Sequence, residues 1–305
     1  MDTSTHHWFT YVLVDMDVTI SMTGYIPPRV RIEMPLGICL HIKDPEIEQR
    51  DYPACRIQKG LVLVHENKDL SEEGIGFAVP VLKFGHETVF PRNACITTEK
   101  YGDKSVVKID YDMNLVERMV VKSSTRIDSE AFYRIKECFS WLHRKYPQLR
   151  GILVRSSNSL RRTCDIETRF EKIACAGIVS VVNTVNTKKG TIHVGVDISN
   201  VKKEGCTEVN IMNEQGANHF DRYCDSNGLF LKGNAIGTWD EIFADEASFI
   251  DSGDNIVFTL KQVKGARMFR GRELVEGRLA WSGLAYGLPQ DINNFAYEIR
   301  IGRFA

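Results

Sequence analysis

The chain has 305 residues, of which 43% are hydrophobic and 26% charged, with a formal net charge of −1. That composition belongs to a globular chain with a substantial core and excludes a disordered or low-complexity one. Near-neutral charge argues against general electrostatic binding to nucleic acid or an acidic membrane, and no stretch approaches the ~18 uninterrupted apolar residues of a membrane span.

The first residues, MDTSTHHWFTYVLVD, carry neither a basic region nor a long apolar region, so no secretory signal is expected. Val12, Val14, Met16, Val18 and Ile20 then alternate with polar residues, the period of a half-buried strand. Pro27 and Pro28 break that run. A second run over 29–43 is interrupted at Pro35 and Gly37, which predicts a bulge or an edge. Further strands are expected over 60–65, 74–84, 94–98, 105–111 and 115–121, with Tyr101-Gly102-Asp103-Lys104 as a hairpin turn.

One helix is predicted over about 129–146. Phe132, Ile135, Phe139, Leu142 and Tyr146 recur at spacings of three and four, Asp128 suits the N-cap, and Pro147 supplies a stop. After Leu153 the pattern serves a helix or a strand. Thr168 and Glu171 have the spacing of a capping box, yet Cys164, Ile166, Thr168 and Phe170 alternate, and Ile178 to Val185 is dense in β-branched residues. Strands are the preferred reading, because Asn186 to Gly190 reads as a hairpin loop between them. Strands follow over 191–199 and 207–212. A short helical segment is expected over 239–249, a turn at 252–255, and a closing meander over 256–263, 274–281 and 295–301. Gly271, Gly277 and Gly283 fall six apart, as bends in a curved sheet do.

These elements predict an α+β, mainly β fold of antiparallel curved sheets, either barrel-like or in two β-rich halves, with the 129–146 helix as its one prominent helix. The halves divide at 1–126 and 127–305; a single compact domain is the alternative.

Two segments carry candidate chemistry. In GILVRSSNSLRRTCD an apolar run empties into a loop where Arg155, Ser157, Ser159, Arg161 and Arg162 supply donors for an anion, with no acidic residue between 151 and 164. Guanidinium forks match carboxylate and phosphate oxygens. A solvated turn is the plainer alternative. In FGHETVFPR, His86 is a candidate for proton transfer and Arg92 a further anion ligand, against the alternative of an exposed strand bend. His41, His65 and His193 lie in separate strands without metal-ligand spacing, so no metal is expected, and no dinucleotide, P-loop or nucleophile-elbow motif implies a cofactor. The eight cysteines are scattered with no CxxC pair; reduced core thiols in a cytoplasmic protein are the expectation.

The functional expectation is a small-molecule enzyme of the lyase, isomerase or decarboxylase type. It would work by non-covalent acid–base chemistry on a carboxylate- or phosphate-bearing metabolite. The alternatives are a non-catalytic barrel for an apolar ligand and a structural subunit of a larger assembly. A small-molecule ligand and a homo-oligomer are the partners considered; nucleic acid and membrane are not.

Overall fold

A computed structural model describes residues 29–43, 57–84, 87–123, 166–173, 177–201, 205–275, 279–289 and 291–304, with Cys138, Leu142 and Tyr146. Among them the architecture is antiparallel β-sheet. A small sheet runs in order β1 (Val30–Glu33), β2 (Ile38–Ile42), β3 (Val62–His65) and β4 (Lys68–Asp69). Pro35–Gly37 forms a 3-10 turn between β1 and β2, so the proline and glycine that interrupt the sequence pattern mark a tight reversal.

The large sheet holds 15 strands. It comprises β5 (Gly76–Phe84), β6 (Glu87–Tyr101), β7 (Lys104–Ser123), β8 (Ile166–Ile173), β9 (Ile178–Asn186), β10 (Thr191–Asp197), β11 (Glu208–Gly216), β12 (Arg222–Asp225), β13 (Phe230–Lys232), β14 (Asp240–Ile242), β15 (Glu246–Ile250), β16 (Ile256–Lys261), β17 (Arg267–Val275), β18 (Leu279–Leu288) and β19 (Asn294–Arg303). Their spatial order is β13-β12-β15-β16-β19-β10-β9-β7-β6-β5-β11-β18-β17-β14, with β8 paired to β7.

This sheet folds back on itself. Phe77 on β5 meets Phe258 on β16 edge-to-face at 5.3 Å, and Tyr286 on β18 meets Phe295 and Tyr297 on β19 at 5.1 and 4.9 Å. Strands distant in the order thus share one core. Alternation makes this possible: β9 reads eBiBeBiBi in exposure, so Val179, Val181, Asn183 and Val185 point inward. Burial of apolar side chains such as these valines at roughly 1.5–3 kcal/mol each is the main force closing the layers. Strands from both sides of residue 126 interleave, since β5 pairs with β11 and β7 with β9.

Two expectations are corrected. The sheet is not a closed barrel: its main strand path ends at β13 and β14, with β8 branching off β7, and the layers pack through contacts such as Phe77–Phe258 instead. The α+β class is not supported either, because the named elements of the described residues include no α-helix, and only the isolated positions Cys138 and Leu142 are helical. The helix expected at 129–146 falls almost wholly outside those residues; within it, the Tyr146 N–H donates to the Leu142 carbonyl at 2.9 Å. The segment over 239–249 expected to be helical forms β14 and β15 instead. There Ala247, Phe249 and Ile250 are buried, while Phe243 is 84% exposed. The expected strand over 274–281 straddles a reversal between β17 and β18.

Candidate functional site

Register fixes which side chains share a face. Glu214 on β11 stands opposite Gly283 on β18, and Gly283 opposite Gly271 on β17. Gln215, Ser282 and Arg272 form the next row, and Gly216, Trp281 and Glu273 the row after it. Adjacent rows alternate between faces. Asn213, Gln215, Leu284 and Ser282 therefore point into the sandwich, while Glu214, Trp281 and Glu273 share its outer face.

Small residues make room there. A Cβ on Gly271 would lie 2.8 Å from the Trp239 nitrogen and 3.0 Å from each indole of the Trp239–Trp281 pair; one on Gly283 would lie 3.0 Å from Glu214 Cγ. With both positions bare, Trp239 lies flat on Trp281, ring centroids 4.7 Å apart and planes 12° from parallel. Trp239 holds φ +59°, a left-handed conformation that is a genuine outlier for a bulky side chain and costs about 1–3 kcal/mol. Strain of that kind persists where surrounding packing over-determines the conformation, and functional sites collect it.

Glu214 is 6% exposed and accepts one hydrogen bond, from the Ile75 N–H at 3.3 Å. Burial pushes its carboxyl up from 4.5 to about 7; the Ile75 N–H and the Lys59 charge oppose the rise, and Glu273 adds to it. A carboxyl poised there exchanges its proton near neutrality, which general acid–base catalysis requires. Lys59 also donates to the Glu72 carbonyl at 2.8 Å, and Glu72 packs its Cγ against Gly216. Glu72 extends the polar array to His219, whose Nε2 lies 3.8 Å from Glu72 Oε1 and whose Nδ1 lies 3.6 Å from Asp251 Oδ1. Further along the same outer face Glu208 joins Lys83 and Arg267. Burial alone would raise its carboxyl, but the two cations hold it below its ordinary value.

Of the residues singled out by sequence, Arg155, Ser157, Ser159, Arg161 and Arg162 lie outside the described residues, as does His86 in the link between β5 and β6. Arg92 is described: it is half-buried on β6, where the register with β7 shifts between Pro91 and Asn93. His41 and His65 stand in the small sheet and His193 on β10 of the large one. Among the described residues no three His, Cys, Asp or Glu groups gather as metal ligands, and no helix is long and apolar enough to cross a membrane.

Sequence reading passed over Glu214 and His219. The signal was the run Asn213-Glu214-Gln215-Gly216, a polar stretch continuing an apolar strand, where the expected strand stopped at Met212. A strand that stays buried through three polar residues places them in a shielded site or a hydrogen-bonded interior, and here it does both.

No family model matches the chain, and no curated protein does. Among solved structures it is similar to the α-N-acetylgalactosaminidase NagBb from Bifidobacterium bifidum in complex with GalNAc (TM-score 0.44, 7% identity), with 90% of this chain and 36% of that one covered. A quadruple mutant of the same enzyme gives a TM-score of 0.45 at 6% identity and the same coverage. HI1317 gives 0.37 at 8% identity, covering 89% of this chain and 91% of that one. The chain thus spans about a third of the length of the NagBb chains.

Proposed function

We propose that the protein is a small-molecule enzyme of the isomerase or lyase type, working by non-covalent acid–base chemistry, with Glu214 as its proton-carrying group. The observation that carries this reading is a carboxyl shielded on the outer face of β11, in the rows that hold the stacked indole Trp281 and the Glu273 carboxylate. As carboxylate it removes a proton from a substrate carbon or hydroxyl; as acid it returns one to the neighbouring position, so the enzyme ends each cycle unchanged. The surroundings suit an uncharged ring substrate bearing hydroxyls. An indole face stacks on the weakly polar side of such a ring, and carboxylates accept from its hydroxyls. An anionic substituent held by Arg155, Arg161 and Arg162 remains a separate part of the proposal.

The test is proton exchange. Purified protein is incubated in D2O with hydroxylated ring compounds, neutral, carboxylated and phosphorylated, and NMR follows deuterium entry and interconversion of isomers. Turnover of at least one compound is expected, rising with pH through about 7 as Glu214 ionises, and falling about 100-fold or more in Glu214→Gln. Equal turnover in Glu214→Gln, or binding without exchange across the panel, overturns the reading. Arg161→Ala with Arg162→Ala tests the anion seat by weakening the charged compounds alone.

A further inference from the structure

The interior face of the strand that carries Glu214 holds polar atoms without a partner among the described residues. Gln215 Nε2 and Ser282 Oγ are both buried without a hydrogen bond, in residues that are fully buried. They are direct cross-strand neighbours on β11 and β18, so their side chains stand side by side on one face. The orientation of the Gln215 amide is not free. The Leu63 N–H on β3 donates to Gln215 Oε1 at 3.0 Å, and an amide turned the other way would set donor against donor. Nε2 therefore faces away from β3 with two N–H groups to place. Arg272, the third member of the row, turns its guanidinium onto the Ala217 carbonyl (3.2 and 3.0 Å) and Asn234 Oδ1 (3.3 Å). Having donors alone, it cannot satisfy an N–H.

We propose that the sandwich interior binds an ordered water molecule between Gln215 Nε2 and Ser282 Oγ, and that this water completes a staple joining β3, β11 and β18. The site is polar, the two groups to be bridged are neutral, and the neighbouring Arg272 guanidinium is turned onto Ala217 and Asn234. Water alone both accepts from the amide and exchanges a hydrogen bond in either direction with the hydroxyl. Buried polar groups in native proteins that lack a protein partner are met by such waters. Other buried polar atoms without partners stand on β7 and β9, namely Tyr111 Oη and both polar atoms of the Asn183 amide.

Crystallography at a resolution that orders internal solvent tests the site directly, with water-to-protein NOE measurements on the Gln215 side-chain amide as a solution counterpart. A spherical density peak within hydrogen-bond distance of both atoms is expected, with a water cross-peak to the Gln215 NH2. In Ser282→Ala the cross-peak is lost and the Leu63 amide exchanges about tenfold faster, because its acceptor is no longer held in place. A dry site with no cross-peak in the unsubstituted protein overturns the proposal, and so does a Gln215 amide found donating to a protein carbonyl. Neither result bears on Glu214, which lies on the opposite face.

Discussion

At the scale of single residues, the polar groups of this chain separate by face. Glu214 is buried as a carboxyl whose folded-state value, about 7, stands above its ordinary 4.5. The folded protein therefore holds this proton more tightly than the unfolded chain, and stability falls as pH rises from about 4.5 to about 7, then levels. Glu214→Gln removes that loss. Urea denaturation should find the variant more stable than the parent by up to about 3 kcal/mol at pH 8 and nearly equal at pH 4.5. A gain in stability coupled to a loss of turnover is the signature of a residue kept for chemistry. Asp251 has the opposite sign. Burial alone would raise its carboxyl, but His219 and the backbone N–H groups of Asp254 and Gly253 hold it below its ordinary 3.8. Its contribution is present above that ordinary value and disappears as pH falls through the lower folded one. Asp251→Asn should cost about 1–3 kcal/mol at pH 7 and converge with the parent in strong acid.

At the scale of elements, the hairpin of β17 and β18 shapes the outer face. Gly271 and Gly283 are equally spaced about Gly277 in sequence, and the structure pairs the outer two directly. Equal spacing about a reversal places residues opposite one another, so this contact was legible once the turn was located; the expected strand over 274–281 ran through the turn and concealed it. Gly271→Ala puts a methyl where the indoles lie. It should destabilise the protein by about 1–3 kcal/mol and weaken the exciton-coupled circular dichroism of Trp239 and Trp281. Other hairpins were plain from local chemistry, notably Tyr101 to Lys104 and Asn186 to Gly190, because turn residues act locally. The segment over 239–249 was misread for a physical reason. Its acidic and apolar residues fit a helical stripe, but pairing with β12, β16 and β17 supplies backbone partners that propensity cannot anticipate.

At the scale of the whole molecule, the strand order could not be read from sequence, because it depends on contacts between distant segments. The Leu63 N–H bond to Gln215 spans 152 positions, and the Lys83–Glu208 pair 125. Such a topology must close long loops before its pairings gain stability. Refolding followed by stopped-flow fluorescence should therefore be slow, on the order of milliseconds to seconds, and faster phases should lack the Trp239–Trp281 signal. The two ends of the main strand path are short, three residues each in β13 and β14, which limits edge-to-edge association there. Phe243, beside β14, is exposed, so Phe243→Lys should leave stability within about 0.5 kcal/mol while lowering light scattering at high concentration.

The exposed Gly102–Asp103 turn joins β6 to β7, and its two flanking strands are knitted into one continuous ribbon. A break in the backbone there would leave two fragments, neither with a complete set of neighbours: β5 would lack β11, and β7 would lack β6. Each piece would carry the template for the other. Separately expressed halves divided at that point should reassemble when mixed, which would make this turn the natural place to split the protein into a complementation pair.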